Sequence, residues 1–224
     1  MICVSVYEPT VETCLDALSG LNFAEVRIDA IVHGAVDDMR KIFCRPLTLI
    51  ATFRPEGPAD ARGCIPGNDT RKELLLAAID AGASYVDIEA GSDGAYRAQI
   101  VARARLRGCK VIVSSHNFYE TPDTGELVAI ASRCFDEGAD IAKIACMVNA
   151  DRDKICLLGL LGRQDFNGRT VVIGMGKKGR ITRVAAPLLG SPFTYASLSD
   201  GKETADGQID ALTLGHILKA LRDG

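Results

Sequence analysis

The chain lacks several features that would place it in other classes of protein. Its apolar runs fall well short of the ~20 residues that a membrane-spanning helix needs. Residues 1–8 contain no basic cluster, and their apolar run is too short for a signal peptide. Lysine and arginine are dispersed and the formal net charge is −3, which argues against nucleic-acid binding. We therefore expect a cytoplasmic protein that binds neither membrane nor nucleic acid.

The eight cysteines form no pattern that would indicate a metal site or a disulfide framework. No two of them stand in a Cys-x-x-Cys pair, and no histidine accompanies them at ligand spacing. We expect most of them to be small buried apolar side chains in a reducing compartment. The sequence therefore predicts no metal.

The chain alternates between two hydrophobic patterns. Short apolar runs with strand character are separated by longer amphipathic stretches that are typical of helices. The candidate strands are residues 2–7, 23–28, 47–53, 85–89, 110–115, 141–145, 170–174 and 193–197. The clearest helical stretches are residues 71–80, 96–106, 126–137, 151–162 and 208–222. Gly82, Gly108 and Gly138 stand where a helix would end before the next strand.

Strands that alternate with helices predict a parallel sheet, because parallel neighbours need a crossover connection. Eight such units in 224 residues favour an α/β fold of the (β/α)8 or TIM-barrel class. A doubly wound open sheet is the alternative, but no glycine-rich dinucleotide fingerprint follows the first strand. Since no linker-like stretch divides the chain, we predict a single (β/α)8 domain over residues 1–224.

Two residues of consecutive candidate strands suggest chemistry. Lys143 lies inside an apolar run, where a buried cation is costly unless it is paired or used. The preceding strand ends in His116, one of three histidines. Each alone fits an ordinary core role. Together they suggest an amine nucleophile with an acid/base partner.

Polar residues recur near the carboxyl ends of the other candidate strands. They are Glu25, Arg27 and Asp29, then Arg54, then Asp87 and Glu89, then the glycine-rich residues 174–179 followed by Arg183. Catalytic groups of (β/α)8 enzymes gather at this end of the barrel. The pattern therefore predicts an active site built from several strands.

At these positions the chain resembles type I 3-dehydroquinate dehydratase, the Schiff-base enzyme of the shikimate pathway. The resemblance runs from Ser5 to the last helix. Its phrases are Glu25-Val26-Arg27-Ile28-Asp29, Thr52-Phe53-Arg54, Ser114-Ser115-His116-Asn117-Phe118, Ala142-Lys143-Ile144-Ala145, Met175-Gly176, Thr182-Arg183, Ser191-Pro192-Phe193-Thr194-Tyr195-Ala196 and Gly207-Gln208. It implies a (β/α)8 lyase that converts its small-molecule substrate, 3-dehydroquinate, to 3-dehydroshikimate without metal or organic cofactor.

The resemblance also implies roles for individual residues. Lys143 would form an imine with the ketone of the substrate. His116 would remove the adjacent proton, protonate the departing hydroxyl and assist hydrolysis of the imine. Arg183 would hold the substrate carboxylate. The remaining substrate contacts implied are Ser5, Glu25, Arg27, Arg54 and Gln208, the last closing over the site within a polar lid of residues 200–208.

Two positions depart from the family pattern. The family usually has a glutamate a few residues after Thr-Phe-Arg that orients the histidine, and here the shortened loop assigns Glu56 to that role. The family often has a serine four residues before the closing glutamine. Thr204 stands there and keeps the hydroxyl.

Two other enzymes remain as alternatives. One is an imine-forming aldolase of the same architecture. The other is a phosphate-binding barrel isomerase, suggested because residues 174–179 resemble an anion cradle made of backbone amides. The oligomeric state is open and a homodimer is compatible with the sequence, although we expect the apolar residues of the last helix to pack on the barrel. These are Ile209, Leu212, Leu214, Ile217 and Leu218.

Overall fold

The computed structural model describes residues 1–31, 34–54 and 68–222. Within these ranges the strands are β1 (Ile2–Val6), β2 (Phe23–Arg27), β3 (Thr48–Thr52), β4 (Tyr85–Glu89), β5 (Lys110–Asn117), β6 (Ile141–Met147), β7 (Thr170–Met175) and β8 (Thr194–Ser197). All the predicted strands are confirmed to within two residues at either end. Because β5 continues to Asn117, His116 is the next-to-last residue of the strand.

The helices are α1 (Val11–Ala17), α2 (Val36–Phe43), α3 (Asn68–Ala81), α4 (Gly94–Arg107), α5 (Thr124–Asp136), α6 (Asp151–Gly159), α7 (Arg180–Ala185) and α8 (Ala211–Arg222). The sequence did not predict α1, α2 and α7, the three shortest helices, which have seven, eight and six residues. α8 begins later than expected because the Asp210 side chain accepts a bond from the Thr213 amide, 2.9 Å, and so caps the helix. In the described ranges we find no helix with the length and apolarity to span a membrane.

The strands form one sheet in the order β7-β6-β5-β4-β3-β2-β1-β8. β1 pairs in parallel with β8, from Ile2 opposite Thr194 to Ser5 opposite Ser197. A doubly wound sheet reverses its strand order at a switch point, whereas this order is sequential and the first strand pairs with the last. The open-sheet alternative is therefore wrong.

Three glycines mark the junctions between helix and strand. Gly82, Gly108 and Gly138 follow α3, α4 and α5 with φ of +113°, +70° and +96°. Side-chain-bearing residues rarely adopt this region, so glycine ends each helix at little cost. The predicted junctions are confirmed.

The structure divides into two compact units. The first comprises Met1–Ser5 and Val113–Gly224, and the second comprises Val6–Ile112. In the first unit, α8 packs through Leu214 and Leu218 on Val184 of α7 and Ala196 of β8. Leu212 instead faces outward, 70% exposed.

In the second unit, β3 pairs in parallel with both β2 and β4. This register places Thr52 opposite Arg27 on one side and opposite Asp87 on the other. This register places polar residues of the three neighbouring strands side by side.

The cysteines within the described ranges are free thiols: Cys3, Cys14, Cys44, Cys109, Cys134, Cys146 and Cys156. All but Cys44 and Cys156 are buried, as expected of small apolar side chains. Burial raises the pKa of the Cys14 and Cys146 thiols to about 12. The same ranges contain no cluster of three His, Cys, Asp or Glu side chains that could hold a metal ion. Cys64 lies outside the described residues.

Candidate active site

Lys143 lies in the middle of β6, between the buried residues Ala142 and Ile144. Only 5% of Lys143 is exposed. Its Nζ lies over the ring of Tyr195 on β8, 4.1 Å from the ring centroid. This is within the range of a cation–π contact. The lysine is therefore buried, as the sequence predicts, and an aromatic face covers its reactive nitrogen.

Arg183, on α7, is the second buried cation of the first unit, with 1% exposed. Its Nη1 donates to the carbonyl of Tyr195, 3.5 Å, and its Nη2 to the carbonyl of Asp206, 3.3 Å. Its Nε has no hydrogen-bond partner. Burial, with repulsion from Arg180, lowers the pKa of Arg183 to about 10, so the guanidinium remains charged at neutral pH. A buried cation with a spare donor is suited to bind an anion.

His116 is half-buried near the end of β5. Its ring stacks on Phe118, with 5.9 Å between centroids and 11° between planes. Phe118 is 62% exposed, so the stack extends from the strand end toward solvent. This contact orients the imidazole.

Hydrogen bonds link the loops that follow β5, β6, β7 and β8. Asn149, after β6, donates from its side chain to the Tyr119 carbonyl, 2.7 Å, in the loop after β5. Lys178, after β7, donates to the Asn149 carbonyl, 2.7 Å. The Gly176 amide donates to the carbonyl of Asp206, 3.3 Å, in the loop after β8. The carboxyl ends of these four strands are thus held in one hydrogen-bonded arrangement.

The three glycine amides of residues 174–179 are bonded within the protein, so they are not available for the anion cradle that the sequence suggested. The Gly174 amide donates to Thr182 Oγ1, 2.8 Å, and the Gly179 amide to the Gly176 carbonyl, 3.0 Å. The Gly176 amide is also bonded within the protein. A Cβ on Gly179 would collide with the carbonyl of Gly174, so close backbone packing explains this glycine.

Ser5, Thr204 and Gln208 come together in the first unit. Thr204 Oγ1 lies 2.9 Å from Ser5 Oγ, and the Thr204 amide donates to Gln208 Oε1, 2.7 Å. Gln208 Nε2 donates back to Thr204 Oγ1, 3.1 Å. Ser5 and Gln208 are buried, so the predicted lid of residues 200–208 is packed through these side chains.

Arg54 is the centre of an ionic cluster in the second unit. Its Nη1 and Nη2 contact the Asp87 carboxylate at 3.0 Å and 2.8 Å, and Nη1 contacts Glu89 Oε2 at 2.9 Å. Burial alone would lower the pKa of Arg54, but the charges of Asp87 and Glu89 raise it above its ordinary value. Asp87 and Glu89 lie two residues apart on β4, so both face the same side.

Glu25 and Arg27, on β2, extend this cluster. Glu25 Oε1 accepts a bond from Thr52 Oγ1, 3.0 Å. Arg27 binds both oxygens of Asp29, at 2.9 Å and 2.6 Å. Asp29 Oδ1 also accepts from the Arg54 amide, 3.2 Å. Arg27 and Arg54 are therefore linked through one carboxylate.

The structure places the predicted site residues in two groups. The first unit holds Lys143, His116, Arg183, Ser5, Thr204 and Gln208, and the second holds Glu25, Arg27 and Arg54. Glu56 lies outside the described residues and stays a prediction. Sequence reasoning noted the charges of Asp29, Asp87 and Glu89 but not their partners. It also missed Tyr195 as a site residue.

We expect Asp87→Ala to destabilise the protein. The substitution leaves the Arg54 charge buried with one carboxylate fewer, a change that typically costs about 3–5 kcal/mol. The free energy of unfolding, measured by chemical denaturation, checks this. Glu73→Ala removes an exposed carboxylate from α3 and should change stability by less than about 0.5 kcal/mol. Equal effects of the two substitutions would contradict the assignment.

Comparison with known proteins shows what the chain is similar to. A family model described as Type I 3-dehydroquinase matches residues 2–224. The 3-dehydroquinate dehydratase of Methanococcus vannielii is 32% identical over 99% of this chain and 100% of its own length. That of Methanothermobacter thermautotrophicus is 38% identical, covering 93% and 91%. The crystal structure of a type I 3-dehydroquinate dehydratase from Clostridium difficile superposes with a TM-score of 0.85 at 22% identity, covering 99% and 92%.

Proposed function

The chain belongs to the type I 3-dehydroquinase family, and from this membership we propose that Lys143, His116 and Arg183 form its catalytic centre. It is a hydro-lyase that dehydrates 3-dehydroquinate to 3-dehydroshikimate in the shikimate pathway. Its fold is the (β/α)8 barrel of the solved family structures, as predicted. The aldolase and isomerase alternatives are therefore wrong. Because the family match spans residues 2–224, we propose that the chain acts as one catalytic domain.

The observation that carries the proposal is the pair of buried cations that share Tyr195. The ring of Tyr195 contacts Lys143 Nζ, and its carbonyl accepts a bond from Arg183. One residue thus connects an amine suited to attack a ketone with a guanidinium suited to hold a carboxylate. The substrate carries both groups.

Imine formation is the first step that we propose. Lys143 first gives up a proton, and its neutral Nζ adds to the carbonyl carbon to give a carbinolamine. The same proton then returns to the carbinolamine hydroxyl, which leaves as water. The product is an iminium (a protonated Schiff base) whose nitrogen is positively charged. This nitrogen accepts the electron pair that is released when an adjacent C–H bond breaks, which an unmodified ketone does less well.

Elimination follows in two proton transfers. His116 accepts the proton from the carbon next to the iminium, and the electron pair forms a neutral enamine. The protonated His116 then donates to the hydroxyl on the following carbon, which leaves as water while the double bond forms. Water hydrolyses the new iminium and regenerates Lys143, so the net change is the loss of one water. Histidine suits both transfers because its ordinary pKa lies close to neutrality.

The remaining predicted residues are proposed to bind the substrate. Arg183 would hold its carboxylate through the donors that the two carbonyl contacts leave available. Ser5, Thr204 and Gln208, already joined by hydrogen bonds, would contact ring hydroxyls and close over them. The family resemblance gives Glu25, Arg27 and Arg54 hydroxyl contacts as well, and gives Glu56 the orientation of His116.

A direct assay tests the proposed centre. The product is a conjugated enone, so its ultraviolet absorbance rises as 3-dehydroquinate is consumed. We expect the purified chain to produce this absorbance after treatment with a metal chelator. Loss of activity on chelation, restored by added metal, would contradict a reaction carried by Lys143 and His116 alone.

We expect Arg183→Lys to weaken substrate binding. Lysine keeps the charge but loses the planar pair of donors that fits a carboxylate. KM should rise about 10- to 150-fold, the equivalent of about 1.5–3 kcal/mol of charged hydrogen bonding. Steady-state kinetics measure this. Arg180→Lys makes the same change at an exposed position of α7 and should leave KM unchanged. If Arg183→Lys also left KM unchanged, the carboxylate would bind elsewhere, such as at Lys177 or Lys178.

We also propose that the protein is a cytoplasmic homodimer. Leu188, Leu189 and Leu212 are exposed by 41%, 51% and 70%, and a second copy could cover such apolar surface. Sedimentation velocity distinguishes a dimer from a monomer.

A further inference from the structure

We propose that the ring of Tyr195 takes part in the reaction by stabilising the positive charge that develops on Lys143 Nζ. This inference rests on the proposed function and adds a catalytic residue to it. The Nζ–centroid distance of 4.1 Å places the reacting nitrogen directly against the ring face. The negative face of an aromatic ring attracts cations within about 6 Å.

The surroundings of Tyr195 strengthen this contact. Tyr195 is 2% exposed and Phe193 is 1% exposed. The Phe193 ring meets the Tyr195 ring edge-on, with centroids 5.6 Å apart and planes at 64°. Neighbouring aromatic packing fixes the ring, and exclusion of water makes a cation–π contact stronger than it is at a surface.

The chemical step that gains from the ring is loss of water from the carbinolamine. The nitrogen of this intermediate is neutral, and it becomes positively charged as the C–O bond breaks and the iminium forms. An aromatic face therefore stabilises the transition state more than it stabilises the neutral intermediate, which is the condition for faster reaction. The free ammonium and the iminium are both cations, so the ring favours neither strongly over the other. At saturating substrate, the effect should consequently appear in the rate at which the bound carbinolamine becomes iminium, and not in the final amount of iminium.

The hydrogen bond between Arg183 and the Tyr195 carbonyl allows the role of the ring to be tested separately from substrate binding. Its bond to Arg183 is made by the backbone carbonyl, which every side-chain substitution retains. A change in the ring should therefore slow iminium formation while KM stays close to that of the wild type. A purely structural role of Tyr195 would not produce that division.

Rapid mixing with 3-dehydroquinate and borohydride, followed by mass spectrometry, gives the rate at which reducible iminium appears. Tyr195→Phe keeps the ring face and should keep this rate. Tyr195→Leu removes the ring and should lower the rate about 5- to 30-fold, as expected for a desolvated cation–π contact. Phe166→Leu removes another buried ring of the same unit, one that packs on Phe135 and Arg163, and should leave the rate unchanged.

A series of graded changes to the ring tests the proposal even if Tyr195→Leu folds poorly. Phenylalanines with one, two or three ring fluorines, incorporated at position 195, keep the shape of the ring while weakening its negative face. The logarithm of the rate should fall steadily with the number of fluorines. A flat series, or equal losses in Tyr195→Phe and Tyr195→Leu, would overturn the proposal. Absence of any adduct in the wild type would instead overturn the proposed function.

Discussion

Replacing Lys143 by methionine is expected to abolish dehydration. Methionine is similar in length and apolar, so the buried site on β6 should remain filled. The variant loses the electron-accepting iminium as well as the nucleophile. Turnover should fall by more than about 10⁴-fold, the upper end of what general acid–base catalysis alone contributes. The rise in enone absorbance measures turnover.

The control for this variant is Lys219→Met, which makes the same change at an exposed position of α8. It should retain full turnover. Lys143→Met should also keep its melting temperature, because its loss is chemical and not structural. Residual activity above about a hundredth of wild type would mean that proton transfer by other groups carries the reaction.

Replacing His116 by alanine is expected to stop the reaction after the imine has formed. Lys143 and its contact with Tyr195 remain, so the substrate should still become covalently attached. Proton abstraction and hydroxyl protonation lose their shared group, and turnover should fall about 10²- to 10⁴-fold. Unreduced adduct should therefore accumulate, and the mass spectrum of the intact protein detects it.

His216→Ala, on an exposed face of α8, is the matched control and should behave like wild type. If His116→Ala kept more than about a tenth of wild-type turnover, another group would be the base. If it formed no adduct at all, His116 would be needed before the imine and not after it.

The fold was predictable because its signals are local. Each strand is a short apolar run, and glycines such as Gly82 and Gly138 mark the ends of helices. The helices that escaped prediction are short: α7 has six residues and buries Arg183, a residue type that a hydrophobic pattern counts as exposed. Its burial depends on packing that the periodicity of six residues does not reveal.

The site was predictable where one residue has an unusual place in the chain. Lys143 in an apolar strand is such a residue. The contacts between site residues of different strands were not predictable, because they depend on strand register. Asp87 binds Arg54 although 33 residues separate them, and the alignment of β3 with β4 decides this contact. Tyr195 was not predicted as a site residue for a different reason, since an aromatic residue in a core strand is expected to fill space. Only the position of Lys143 Nζ over its ring reveals another role.

The most direct test of the central claim is to locate the covalent adduct. Borohydride added with 3-dehydroquinate should inactivate the protein and add one reduced ligand to its mass. Trypsin does not cleave after a modified lysine, so the adduct should appear on an uncleaved peptide of residues 134–152. Unmodified protein gives residues 134–143 and 144–152 instead. An adduct on another lysine, or a fully active protein that forms none, would contradict catalysis through an imine on Lys143.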